Sequence, residues 1–180
     1  MRWDALFSDL EAQASAQQAQ QLDAEVAEAL ELERSRIHLA DRMRAAVGSE
    51  LQICLPSEPQ LRLHLESVGA DWLSGHAAGQ SLLVRLQAIL SVEGLPGRAQ
   101  PEASRARQRL GIGAPLRALA RSRENVMVQG VGAELGRGLI VQVGADHLDL
   151  APRHLQSGSP NGKPQLRSVA LAAVVAIRSC

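Results

Sequence analysis

Apolar residues follow two kinds of spacing along the chain, and the change comes at Gly48. Before it, Trp3, Leu6, Phe7 and Leu10 recur three or four residues apart, as do Leu22, Val26 and Leu30, and later Ile37, Ala40, Met43 and Val47. That spacing marks one face of a helix. From Asp4 to Ala46 there is no Pro or Gly, and Ala, Glu, Gln, Leu and Arg dominate, which are the residues that lose least on entering a helix. Between Glu11 and Gln21 only Ala is apolar, so this part is expected to be solvated or to hinge. After Gly48, Leu51, Ile53 and Leu55 alternate with polar residues, and Leu61, Leu63 and Leu65 enclose Arg62 and His64. Period two predicts strands. Pro56 to Pro59 and Val68-Gly69-Ala70-Asp71 read as turns. A short strand is predicted around Trp72 and Leu73, and the apolar run Leu82 to Val92 ends at Gly94-Leu95-Pro96-Gly97.

The same order returns further on. Val126 and Val128 alternate, Leu139, Val141 and Val143 lead into Val143-Gly144-Ala145-Asp146, and His147 to Leu150 is the short strand. Leu166 to Ile177 is the last apolar run, and Ser157 to Pro164 reads as a loop. The hexapeptides 68–73 and 143–148 differ only in Trp72 and His147. With a shift of 75 residues, Leu51, Ile53 and Leu65 fall on Val126, Val128 and Ile140. With a shift of 85, Val84, Leu86, Ala88, Ile89 and Val92 fall on Val169, Leu171, Ala173, Val174 and Ile177. Collinear matches interrupted only by one longer loop predict duplicated structure. The expected organisation is an N-terminal helical segment (1–47), a first small β unit (48–95), an Arg-rich linker with a short helix at Leu116 to Arg121 (96–123), and a second β unit (124–180). The fold class is mainly β with helix, α+β.

A short helix followed by five bent strands resembles the Sm/LSm fold. The helical segments Ile37 to Val47 and Leu116 to Arg121 stand before the two units. Val84-Arg85-Leu86 through Ile89 and Val92, and Val169-Ala170-Leu171 through Val174 and Ile177, keep the aliphatic spacing of that family's second motif. Gly138-Leu139-Ile140, Val143 and Asp146 echo its first. The resemblance implies two Sm/SH3-like small β-barrels that pack together, since such barrels assemble by edge pairing and tandem copies can satisfy each other. The family's Arg-Gly is replaced by Arg85-Leu86 and Ala170-Leu171, and its base-stacking position is held by Leu73 and Leu148. The scaffold is therefore implied without the grip on uridine-rich RNA. The acidic Ala/Gln helix and Arg-rich linker are also similar to those of uncharacterised actinobacterial proteins.

Composition narrows the function. Aromatic residues are limited to Trp3, Phe7 and Trp72, so the core must be aliphatic and few rings are left to stack on bases. Nineteen Lys and Arg balance nineteen Asp and Glu, which gives no overall field for a polyanion. The charge is nevertheless segregated. Asp4, Asp9, Glu11, Asp23, Glu25, Glu28, Glu31 and Glu33 face Arg2 alone in residues 1–33, whereas Arg98, Arg105, Arg107, Arg109, Arg117, Arg121 and Arg123 face only Glu102 in residues 96–123. Those arginines are candidate nucleic-acid or partner contacts, or they pair with the acidic helix. Cys54 and Cys180 form no metal or disulfide pattern. Nothing at the N-terminus reads as a signal peptide, and the run Val169 to Ile177 is too short to cross a bilayer, so a cytoplasmic protein without a membrane partner is expected.

Gly69 and Gly144 are expected to supply positive φ in the turns, and Asp71 and Asp146 to bond nearby turn amides. Asp71, Ser74 and His76 are close together but lack the surroundings of a nucleophile elbow. His38, His64, His76, His147 and His154 have no ligand spacing. Gly111-Ile112-Gly113-Ala114-Pro115 lacks the Lys-Ser/Thr of a phosphate loop and reads as a linker, with Pro115 in a first helical turn. No catalytic, metal or cofactor residue is expected. The chain reads as a non-enzymatic adaptor or regulatory protein that binds a protein partner or itself, the helix covering an open sheet edge. The alternative is an RNA- or DNA-binding regulator that uses the arginines.

Overall fold

The computed structural model describes residues 2–152 and 166–180, with side chains from residue 16 onward. The predicted loop at Ser157 to Pro164, and His154, lie outside the described residues. The fold is α+β, a long helix and a ten-stranded antiparallel sheet. The chain divides into two compact units, Met1–His38 and Leu39–Cys180.

The first unit is helix α1, Arg2–Ser35. Every side chain from residue 16 to residue 35 is exposed, including Leu22, Val26 and Leu30. The sequence predicts one helix running on to Ala46, whereas the helix breaks at residues 36–38. Arg36 and Ile37 donate to carbonyls only three residues back, at Glu33 and Arg34, both at 3.2 Å. Such tightening closes a last turn, and no Gly or Pro announces it. No helix is long and apolar enough to cross a membrane among the described residues.

The second unit opens with α2, Leu39–Arg44, whose Met43 is fully buried against the sheet. Gly48, at φ +86°, then turns the chain into the first strand. The strands are β1 (Glu50–Leu55), β2 (Glu58–Val68), β3 (Trp72–Ala77), β4 (Gln80–Arg85), β5 (Ser91–Glu93), β6 (Asn125–Gln129), β7 (Glu134–Val143), β8 (His147–Ala151), β9 (Arg167–Ala170) and β10 (Ala176–Ser179). Between β5 and β6 lie α3 (Arg105–Gln108) and α4 (Gly113–Ser122). Strand order is β5-β1-β2-β3-β4-β10-β6-β7-β8-β9.

The first five strands thus run 5-1-2-3-4 and the second five 10-6-7-8-9, one order in both halves. Registers agree as well. Leu51 opposes Leu63 and Ile53 opposes Leu61, while Val126 opposes Gly138 and Val128 opposes Gly136. Trp72 opposes Arg85, and His147 opposes Ala170. Ile53 opposes Val92, and Val128 opposes Ile177. The β2·β3 ladder slips between Leu65 and Ser67, and the β7·β8 ladder slips between Ile140 and Gln142. Each slip is a bulge that switches which face the following residues occupy. A 3-10 turn follows β4 at Leu86–Ala88 and β9 at Leu171–Ala173.

In β7 the phase of the alternation differs from the sequence expectation. Gly136, Gly138 and Ile140 point inward, and Val141 is half exposed. The inward glycines reflect crowding: a Cβ on Gly138 would stand 1.9 Å from the Ala151 carbonyl oxygen.

Two aliphatic cores result, and the β4·β10 seam feeds both. Leu83, from β4, enters the core built on Val126, Val128, Leu148 and Leu150. Val175 and Ala176 enter the core built on Leu51, Ile53, Leu63 and Leu73. Arg178 is the one buried charged residue among those described, and it bonds Glu58 of β2 and Gln129 of β6. A guanidinium taken out of water needs such partners.

Candidate functional site

Two equivalent turns, one in each half, give the site its geometry. In the first, Gly69 donates its amide to the Trp72 carbonyl at 2.8 Å, and Leu86 donates to the Asp71 carbonyl at 3.0 Å. In the second, Gly144 donates to His147 at 2.9 Å and Leu171 to Asp146 at 2.7 Å. Neither Gly69 nor Gly144 has positive φ, contrary to expectation. Space is what requires glycine there. A Cβ would lie 2.2 Å from the Trp72 ring in one turn and 2.4 Å from the His147 ring in the other.

Asp71 departs from the expected local bonding too. Asp71 Oδ1 accepts the amide of Ile112 at 2.7 Å, from a residue 41 positions on, and Arg85 stands 3.6 Å from its other oxygen. Trp72 Nε1 donates to the Leu110 carbonyl at 3.0 Å, and the Ala70 amide approaches the same carbonyl at 3.4 Å. The first turn therefore holds Leu110 to Ile112 by its backbone. Ile112, read from sequence as plain linker, is buried with Leu116 in the second core. No local signal points to this, because the contact joins segments far apart along the chain.

Among the described residues, nothing occupies the second turn in this way. Asp146 Oδ1 instead lies 2.8 Å from His147 Nδ1, with the carboxylate 90% exposed and the imidazole 41%. The hydrogen bond from His147 holds Asp146 below the usual carboxylate range, and Asp146 lifts His147 above the usual histidine value. For the raised imidazole, the pair supports the fold below the ordinary histidine pKa, and its contribution fades as pH climbs through the raised value. For the lowered carboxylate, it fades as pH falls through the lowered value. Asp146→Asn is therefore expected to bring the His147 titration back down, followed through the imidazole protons by NMR. An unchanged midpoint would show that the pair does not form in solution.

A cavity of 560 Å³ lies between the second turn and the start of α4, and it is lined by Asp71, Arg85, Arg109, Arg117, Asp146 and neighbouring backbone. Arg85 is engaged there, donating to the Leu171 carbonyl at 3.1 Å. Arg98, Arg105, Arg107, Arg109, Arg117, Arg121 and Arg123 are all exposed. None of the seven is ion-paired within residues 39–152 and 166–180. They are spread over the linker, α3 and α4, and only Arg109 and Arg117 line the cavity.

The Asp71, Ser74 and His76 set is not assembled. His76 pairs instead with Glu66 at 2.9 Å and approaches Ser81 Oγ at 3.4 Å, on an exposed face spanning β2, β3 and β4. No group of three His, Cys, Asp or Glu side chains suited to a metal occurs among the described residues. Cys54 and Cys180 are free. Compared with known proteins, the chain matches no family model, no curated protein and no solved structure.

Proposed function

We propose that residues 48–95 and 124–180 are two copies of a small Sm-like β-barrel unit, and that the protein is a non-enzymatic adaptor or regulator that binds other proteins through them and its N-terminal helix. Shared strand order, matching registers and matching 3-10 turns support the duplication. In that reading β4·β10 is the joint between the units, and each outer edge, β5 and β9, has one neighbour among the described strands. Those edges are only three and four residues long, and short edges resist further pairing. Partner binding is therefore favoured over self-association.

The capture of Leu110 to Ile112 by the first turn carries the binding reading. It is main-chain recognition, with the bonding partners drawn from one tight turn. Affinity capture from native extract, with and without nuclease, tests it. A polypeptide partner is expected to stay bound after nuclease treatment. Release on nuclease treatment would favour the second reading, an RNA- or DNA-binding regulator, for which the exposure of the seven arginines speaks. In that case single-stranded RNA or duplex DNA would bind in a salt-sensitive manner. Changing Arg105, Arg107 and Arg109 to Ala would then weaken it.

A further inference from the structure

We propose that the second turn, Gly144 to His147, is an acceptor site for the turning main chain of an acidic peptide segment of a partner protein. The inference rests on the protein-binding reading above and identifies where and what the protein binds.

The first turn supplies the template. Its ring nitrogen and an adjacent backbone amide reach a peptide carbonyl, and its carboxylate takes the peptide N–H two residues later. The residue between them, Gly111, lies against Asp71, and an added Cβ would stand at ordinary contact distance, 3.4 Å from Oδ1. What the turn holds is main chain bending from one helix into the next, with Ile112 already helical at φ −53°, ψ −27°. The second turn presents the corresponding groups on an equivalent backbone. The ring of His147 stacks over Gly144 as the indole stacks over Gly69. Among the described residues no linker covers the Ala145 and Asp146 side chains, and both are exposed.

His147 differs from Trp72 in one respect that shapes the site. Its Nδ1 is taken by Asp146, so Nε2 is the ring atom left. When the imidazole is charged, Nε2 donates to a peptide carbonyl as the indole does, and Asp146 keeps Oδ2 for a peptide amide. Charge then selects the peptide. The cavity beside the turn is rimmed by Arg109 and Arg117, both exposed and without a carboxylate partner in this unit. Asp71 is already occupied by Ile112 and Arg85, and Asp146 by His147. The free charge at the rim is positive, and carboxylates flanking the captured residues complement it.

The test uses the full chain and a blocked peptide, Glu-Glu-Leu-Gly-Ile-Glu-Glu, with a Lys-flanked peptide and a thymidine oligonucleotide of matching charge as comparisons. The acidic peptide is expected to bind and to shift the amide resonances of Gly144 to Leu148. The double variant Asp146→Ala, His147→Ala is expected to weaken it at least tenfold, and both side chains are exposed enough for its melting temperature to stay close to that of the parent. Arg109→Glu with Arg117→Glu gives the same loss without touching the turn. The Lys-flanked peptide is expected not to bind. Undiminished binding by both variants, shifts confined to other surfaces, or no shift with any probe at millimolar concentration would overturn the site. Tighter binding of the oligonucleotide at the same residues would also overturn it and assign the rim to nucleic acid. If the peptide fails while a nuclease-resistant partner is still captured, this site is wrong and the adaptor reading stands. If both fail, the adaptor reading falls too.

Discussion

Gly138→Ala is expected to destabilise the fold by about 3–5 kcal/mol, a large part of a typical domain's stability. Two costs combine at this position. The backbone sits at φ +151°, which side-chain-bearing residues rarely adopt, and the new methyl would meet the Ala151 carbonyl oxygen at 1.9 Å. That oxygen belongs to the backbone of a paired strand, so no rotamer can relieve the contact. Strands β7 and β8 would have to part. Gly79 provides the comparison: φ is +78°, but nothing lies within 4 Å of an added Cβ. Gly79→Ala should cost only about 1 kcal/mol. Urea unfolding of the two variants separates these cases, and equal midpoints would refute the steric argument.

Ile177→Asp is the second large effect, expected at on the order of 4 kcal/mol or more. Ile177 is 2% exposed, in the central strand β10, opposite Leu83 on one side and Val128 on the other. A carboxylate there must either stay protonated or draw water between β4 and β6. Because side chains at this seam enter both cores, the damage should reach both halves. Thermal melting by circular dichroism is expected to show an early, broadened transition. Retention of the parent's melting temperature would mean that the seam is dispensable. Ile177→Val, which removes a single methylene, should cost about 1 kcal/mol and keep the transition sharp.

Much of the sheet is legible in the sequence because a half-buried strand leaves a period of two. The shifts of 75 and 85 residues found among aliphatic positions reappear as pairing registers, from Leu51 and Val126 at one end to Val92 and Ile177 at the other. The break in the helix at residues 36–38 is not legible, since that stretch has neither Gly nor Pro and helix composition continues through it. The phase of β7 is hidden because glycine, the inward residue at 136 and 138, carries no hydrophobic signal. The site is harder still. Gly69 and Gly144 are visible as turn glycines, but the rings that require them come three residues later and act through space rather than through φ. Asp71 reads as a local turn residue until its partner, Ile112, is seen across the linker. The arginines are plain in the sequence, yet which two of them meet at one cavity depends on where α4 begins.

The central position of β10 has a consequence for how the chain reaches its native state. Ser81 and Ser179, which bond across the seam, are separated by 98 residues. Closing so long a loop is slow compared with forming hairpins. On a ribosome adding about 5–20 residues per second, roughly 5 to 20 seconds pass between synthesis of β4 and synthesis of β10. During that interval β4, joined by β6 once it is made, stands without the strand that later lies between them. A nascent chain stalled short of residue 179 would therefore be a natural client for chaperones that shield unpaired strands.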